Sequence, residues 1–480
     1  MTHHQSLVAG PCAHTDARTE VRSPYSGQPV GTVERAGADQ VELALSNAHA
    51  LFRDRSRWLS VAERSRILEN AAEIMRARFD ELVETAASEG GKPLVDTRVE
   101  VNRAIDGIML CVEHIRTHAG DVVPMSEPPP NNRMAFTQKE PIGVVVAVSA
   151  FNHPLNLIVH QVGAAVAAGC PVVVKPAETT PLSCWNLVQI LRDAGLPEGF
   201  AQALLTDGHE LATALVTDPR VAFFTFIGSA RVGWMLRSKL APGTRCALEH
   251  GGVAPLIVDG SAELQKVIPA VLKGGYYHAG QVCVSVQRVF VPNALVAETT
   301  RLLADGAKKL AIGDPLSPDT EVGPLISPAE VERVEAWVQE AVRAGAELAC
   351  GGERLENNCY APTLLVNPPR DVRVSCNEIF GPVVCLYGYD DVRDAIAQAN
   401  SLDVAFQAAV FAQDIDRAIE IARVLDASAV MINDHTAFRQ DGMPFAGLRH
   451  SGHGVGGIGH SIEDMQIDKM FVIKSRAGID

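Results

Sequence analysis

From position 61 to 115 apolar residues recur every three or four places, as in ERSRILENAAEIMRARFDELVETAASEGGKP, which predicts helix broken at Gly90 and Gly91. PMSEPPPNNR then predicts a proline-rich loop, and MAFTQKEPIG after it alternates like an exposed strand. At 143–150 the pattern changes to an unbroken run, GVVVAVSA, of the kind found in parallel strands covered on both faces. Strand and helix patterns then take turns: helix at 155–168, strand at 171–175, helix at 183–194, extended chain at 200–205 and 221–226, and helix from 229. A second alternating region runs from APLIVD at 254–259 to ASAVMIND at 427–434, with helices at 262–273, 295–309, 328–344 and 392–400. Such alternation predicts doubly wound α/β layers. The tail IDKMFVIKS alternates again, like an edge strand able to pair with another subunit.

Composition narrows the class. A chain of 480 residues exceeds one ordinary core, so two or more domains are expected. At 47% apolar and 21% charged residues the make-up is globular. The net charge is −15 with Lys and Arg scattered, which argues against nucleic acid and anionic membrane as partners. The most apolar stretch, 142–174, is interrupted by Asn152, His153, Pro154, Asn156, His160 and Gln161, so no membrane span is expected. Ten cysteines without a CxxC pair argue against zinc ribbons and disulfide frameworks; a reducing cytoplasm and no metal site are expected. The opening MTHHQSLVAGPCAHTDAR has neither the basic end nor the apolar stretch of a signal peptide.

Several short stretches carry chemistry. In AGQVCVSVQRVFV, Cys283 follows a Gly-Gln-Val turn and precedes a strand-like run; it is either core filling or a nucleophile. Asn152 in SAFNHPLN follows a strand directly, where its amide could donate to an oxyanion, although loop asparagines usually serve turns. Glu249 in CALEHGGVAP, between a short strand and a Gly-Gly turn, could be a general base or a surface or paired acid. FTFIGSARVG, which also holds Gly233, ends a β-run at Phe226, turns at Gly228 and opens a helix at Ser229. The free amides of that helix suit a pyrophosphate; the bland alternative is an ordinary strand-to-helix turn. VVVKPAETTP puts Lys175 at a strand end with Glu178 three residues on, placed to hold two ribose hydroxyls or simply to sit in a solvated loop. The GxGxxG match at Gly452, Gly454 and Gly457 is poor: the nearest strand ends near Asn433 and the chain ends before a helix and a ribose-binding acid follow. A flexible glycine loop is expected there.

Taken in order, FNHP, KPAE, FIGSARVG, LEHGG, GQVC and NEIFGPV make nearly the whole chain resemble the NAD(P)-dependent aldehyde dehydrogenase superfamily, with GQxC after LExGG the most specific pair. The resemblance implies a Rossmann-type NAD-binding domain at 1–121 and 141–248, an α/β catalytic domain at 249–459, and a small β oligomerisation element at 122–140 and 460–480, giving homodimers or homotetramers. It implies that Cys283 is the nucleophile toward a small-molecule aldehyde, that Asn152 and the Cys283 amide hold the oxyanion, and that Glu249 activates the water that releases the acid. It further implies that Lys175 and Glu178 hold the adenosine ribose and that Gly228, Ser229 and Gly233 form the pyrophosphate turn. Glu378 would hold the nicotinamide ribose, and Phe380 would pack near the nicotinamide. NAD is the expected cofactor, with NADP as the alternative.

Several positions depart from the family pattern. Phe151-Asn152-His153-Pro154 replaces the usual Trp-Asn-Phe-Pro, His250 and Val253 replace a leucine and a lysine, and Gly454-Val455-Gly456-Gly457 replaces GREG. NDHTAFRQDGMPFAG looks most like the subgroup of lactaldehyde, succinate-semialdehyde and phosphonoacetaldehyde dehydrogenases. Phosphonate-using members carry an arginine directly before the nucleophile, where this chain has Val282. His153 and His160 are expected to line the substrate tunnel, and Arg103 and Arg439 match positions that meet the anionic end of the substrate. A salt bridge to Glu100 or Asp441 is the alternative for either arginine, and a satisfied hydrogen bond in the wall for either histidine. Together they disfavour an apolar substrate, so a short semialdehyde or hydroxyaldehyde is expected. The CoA-acylating branch generally lacks the glutamate base, and a non-catalytic protein of this fold would not need Asn152, Glu249, Cys283 and Glu378 together.

Overall fold

The computed structural model describes residues 2–125 and 132–475. Its first sheet has six strands in the order Gly452–His453, Arg245–Glu249, Val221–Ile227, Val144–Val148, Val172–Lys175 and Ala201–Ala203, parallel except for Gly452–His453. Both faces are covered, as the unbroken apolar runs require. Val145, Ala147, Val172 and Val174 pack into one core with the helices Val61–Ala77 and Leu94–Thr117. Val144, Val146 and Val173 face the opposite way, into a core with helix Ala38–Arg53. The two-residue period of a strand thus sorts one sequence run into two cores.

The second sheet has seven strands, ordered Glu347–Cys350, Thr363–Val366, Val383–Tyr389, Val286–Pro292, Ala254–Val258, Gln407–Phe411 and Ala429–Ile432, with only the first antiparallel. A third, small sheet pairs the tail Gln466–Lys474 antiparallel with Arg133–Pro141 of the same chain, and Arg133–Pro141 with Val122–Val123. The hairpin-and-tail element therefore forms; residues 126–131 and 476–480 of it lie outside the described residues. No helix of the described residues is long and apolar enough to cross a membrane.

Three local expectations are corrected. Arg78 also breaks the first helical region, separating Val61–Ala77 from Phe79–Gly90. The helix at 155–168 widens into a π turn over Val159–Gly163, which holds His160. The glycine segment is not a loose loop. Gly452–His453 pairs with Leu248 and Glu249, and Ile458–Asp464 is a helix whose Ile458 and Ile462 enter the first core. Gly456 bridges Phe445 within the segment. Its glycines answer close backbone approach: a Cβ on Gly457, at φ 106, would lie 2.4 Å from the Met443 carbonyl oxygen. The strand the segment pairs with, Arg245–Glu249, is distant in sequence, so local pattern could not reveal the pairing.

Candidate active site

A cavity of about 940 Å³ opens where the strands Val144–Val148, Val221–Ile227 and Arg245–Glu249 end, the side on which α/β sheets bind ligands. Asn152, His153, His160, Gly228, Ser229, Glu249, Cys283, Glu378, Phe380, Arg103 and Arg439 all line it. Lys175, Glu178 and Gly233 do not.

The turn before Cys283 is built by unusual backbone. His278, Ala279 and Gly280 all have left-handed φ, of 49°, 52° and 69°. Such conformations persist only where the surroundings enforce them, and Gln281 does much of the enforcing. Fully buried, it donates from Nε2 to the carbonyls of His278 (3.3 Å) and Pro324 (3.2 Å) and accepts from the Ile326 amide (2.9 Å). Its own carbonyl accepts from Asn152 Nδ2 at 2.9 Å. An asparagine amide has two N–H donors, so one fixes Asn152 and the other stays free. The Gly252 amide donates to the Cys283 carbonyl at 3.2 Å, tying the two motifs together. Burial pushes the Cys283 thiol well up, Glu249 and Glu378 push it further, and Arg439 opposes them.

Both acids are held protonation-ready. Burial lifts Glu249 to about 7 against the pull of Arg439. It lifts Glu378 to about 8 against Arg333 and the Gly252 amide. Glu378 Oε1 is buried with no hydrogen-bond partner among the described residues, and a Cβ on Gly251 would stand 1.8 Å from it. A buried carboxylate oxygen without a donor is what a ribose hydroxyl would satisfy.

Helix Ala230–Arg237 starts after Ser229, whose side chain makes no cap, so the first amides stay available to an anion. His250 braces this turn: its Nδ1 lies 2.9 Å from the Gly228 carbonyl oxygen, and its ring meets Phe226 and Trp234 edge-on. Gly233 makes room for that ring, since a Cβ there would lie 2.0 Å from His250 Cε1. Phe380 meets Phe151 edge-to-face at 5.8 Å. Beyond the cavity, Glu178 stands 3.8 Å from Lys175 Nζ and 4.0 Å from Arg35 Nη2, so two cations flank it.

At the other end one buried carboxylate gathers the polar wall. Asp441 accepts from Arg103 Nε (3.0 Å) and Nη2 (2.7 Å) and from Asn156 Nδ2 (3.1 Å), and His160 Nε2 lies 2.7 Å from it. Burial alone would raise its carboxyl, yet the bonds from His160 and Arg103 hold it far below the usual range. The salt bridge considered as the alternative for Arg103 is the one that forms. His153 shares a 2.6 Å hydrogen bond with the Tyr277 hydroxyl. Burial lowers both histidines, and for His160 the hydrogen bond to Asp441 opposes it. Arg439 differs. Its guanidinium lies 3.5 Å over the Phe445 ring, its Nε is 3.9 Å from Asp441, and Nη1 is buried with no partner among the described residues.

Sequence reasoning missed Asp441 as a hub, Tyr277 and His250. Only the spacing of Arg439 and Asp441 in FRQDG hinted at the first. The chain entering this wall is fixed by Glu100, which accepts from the Leu155 and Asn156 amides and pairs with Lys92 at 2.6 Å, both buried.

Known proteins share this architecture. The model of the "Aldehyde dehydrogenase family" matches residues 12–471. A 3-sulfolactaldehyde dehydrogenase of Priestia aryabhattai is 38% identical over 467 residues, 97% of this chain and 97% of that one. A lactaldehyde dehydrogenase of Methanocaldococcus jannaschii is 33% identical over 458 residues, 95% of this chain and 97% of that one. Aldehyde dehydrogenase 21 from Physcomitrella patens, solved with the reaction product succinate, matches with a TM-score of 0.94 at 32% identity, covering 98% of each chain.

Proposed function

Because this chain belongs to the aldehyde dehydrogenase family and is an NAD(P)-dependent oxidoreductase, we propose that it oxidises a short anionic semialdehyde or hydroxyaldehyde to the acid through a thioester on Cys283. The observation that carries the substrate reading is the unpartnered, buried Nη1 of Arg439 in the wall that also holds Cys283 and Glu249. A buried guanidinium N–H without an acceptor is costly, and an anion entering the cavity supplies one. The substrates named for the two relatives, both short oxygenated aldehydes, fit this reading.

The residues act in sequence. The Cys283 thiol gives its proton to water, a step Arg439 favours, and the thiolate sulfur bonds to the aldehyde carbon. The resulting oxyanion accepts from the free Asn152 N–H and the Cys283 amide, a term worth about 3 kcal/mol per donor. Bound NAD(P) supplies the hydride acceptor that turns this adduct into a thioester. Ser229 with the helix amides behind it, Glu378, and Lys175 with Glu178 are the groups that would hold its pyrophosphate and two riboses. Glu249 then takes a proton from water. The hydroxide adds to the thioester carbonyl, the C–S bond breaks, and acid and thiolate are released. Splitting the oxidation this way lowers each barrier. The presence of Glu249 in the cavity favours water over CoA as the acyl acceptor.

The same reading extends to assembly. Met134, Ile467 and Ile473 are exposed on one face of the small sheet and Met470 and Val472 on the other, apolar positions that suit a homodimer or homotetramer. We also propose a division into a nucleotide-binding domain, a catalytic domain and this element; the separate sheets support it, and Gly452–His453 pairs with the first of them. Ten free cysteines suit a reducing cytoplasm. A panel of succinate semialdehyde, lactaldehyde, propanal and hexanal with NAD and NADP tests the activity. The anionic or hydroxylated aldehydes should exceed the plain ones about tenfold or more in kcat/KM; a preference for hexanal would refute the reading.

A further inference from the structure

The charges on the substrate wall do not simply add; most of them cancel. Arg103 spends its Nε and Nη2 on Asp441, and His160 Nε2 is 2.7 Å from the same carboxylate. Lys92 and Glu100 nearby form a closed pair, each 1% exposed. Val282, beside the nucleophile, adds no charge. Arg439 remains, stacked on Phe445, outside hydrogen-bonding reach of Asp441, with Nη1 unpartnered.

We propose that Asp441 is a positioning residue that sets the charge of the substrate tunnel. By neutralising Arg103 and tethering His160 it leaves Arg439 as the anchoring cation. The tunnel therefore takes an aldehyde with one negative charge, a carboxylate or sulfonate, in preference to a dianionic phosphonate or phosphate monoester. This rests on the reading of Arg439 as the substrate anchor. A dianion would need a second free cation, and drawing Arg103 away would strip the buried Asp441 of its guanidinium partner and leave it only Asn156 and His160, a heavy penalty. It would also meet Glu249, which interacts with Arg439 as well.

The test compares kcat/KM for succinate semialdehyde, phosphonoacetaldehyde and propanal at a pH where the phosphonate is dianionic. The wild type should favour succinate semialdehyde over phosphonoacetaldehyde. Asp441→Asn adds one net positive charge and should move that ratio about tenfold toward the dianion, mainly through KM. Adding Arg103→Gln to Asp441→Asn restores the charge and should return the ratio, even at lower absolute rates. A purely structural role predicts equal losses on all three substrates and no rescue of the ratio, and either result overturns the proposal. Should Asp441→Asn fail to fold, Arg103→Gln alone decides. It leaves Asp441 facing Arg439 and should erase the preference for succinate semialdehyde over propanal; an unchanged preference overturns the proposal. A wild type that prefers propanal to both anions refutes the anchor itself, a failure distinct from one in which the anchor holds and the Asp441 variants do not shift the ratio.

Discussion

A Cβ on Gly280 would stand 2.1 Å from the carbonyl oxygen of Gly381, so the turn before the nucleophile and the turn after Glu378 touch backbone to backbone. Gly280 also has φ 69°, where any other residue is strained. Gly280→Ala should therefore destabilise the protein by about 2 kcal/mol or more, read as a lowered Tm. It should also reduce kcat by about a hundredfold, because Cys283 and Glu378 shift relative to each other. An alanine variant with normal kcat would show that this contact does not position the site.

The chemistry divides between two side chains. Cys283→Ala should abolish aldehyde oxidation while nucleotide binding, followed by calorimetry, persists. Glu249→Gln should behave otherwise, since thioester formation needs the base less than hydrolysis does. With substrate and NAD it should accumulate acyl-enzyme, visible as added mass on the intact protein. Substantial turnover by Cys283→Ala would refute the nucleophile.

Glu249 also fixes a pH dependence. Burial raises its carboxyl from the ordinary glutamate range to about 7, so the carboxylate that activates water is the minority form below about pH 7. Thioester hydrolysis should rise roughly tenfold per unit up to about pH 7 and level off above it. Single-turnover acid release across pH measures this. In Glu249→Gln the residual rate should lose that inflection; a wild-type rate that falls through the same range would exclude Glu249 as the base.

Which parts could be read from the chain alone follows from range in sequence. The layered fold was legible because strands such as Val144–Val148 are single apolar runs. That Asn152, Glu249, Cys283 and Glu378 line one cavity was legible because each sits inside its own short motif. Asp441 was legible only as one alternative partner of Arg103 or Arg439: Arg103, Asn156 and His160 reach it across 338, 285 and 281 residues, and nothing local to the acid signals that they converge. Gly452–Gly457 misled for the same reason, since their partners are the edge strand Arg245–Glu249 and the Phe445 backbone. His250 looked like a mere departure from pattern, and only the ring space over Gly233 gives it a task.

Glu178 and its two neighbouring cations bear on nucleotide choice. The carboxylate can accept from both ribose hydroxyls and repel a 2′-phosphate, but Lys175 and Arg35 partly offset that repulsion. NAD should be preferred with NADP still accepted. Glu178→Gln should raise KM for NAD and shift the NADP-to-NAD ratio of kcat/KM by about tenfold toward NADP. Arg35→Ala should move it the other way, because Arg35, paired with Asp207, is the guanidinium beside Glu178 that a 2′-phosphate would meet. Equal effects on both cofactors in either variant would remove these residues from the discrimination.

Arg439 is the sharpest single test of substrate class. Its guanidinium carbon lies over Phe445, 3.5 Å from the ring centroid, and that contact restricts its motion without using its N–H donors. One of those donors, Nη1, is buried with no partner among the described residues, so no described protein group meets that N–H. An anionic substrate end meets it, and a methyl group does not. Arg439→Ala should therefore raise KM for succinate semialdehyde about thirtyfold or more, the loss of a charge-assisted pair, while KM for propanal changes little. The same variant removes a charge that favours the Cys283 thiolate and opposes Glu249 protonation, so kcat should fall for both aldehydes alike. The split is the diagnostic: a shared fall in kcat with a KM penalty confined to the anion. Equal KM effects on the two substrates would leave Arg439 a wall residue and remove the anionic aldehyde as the preferred substrate.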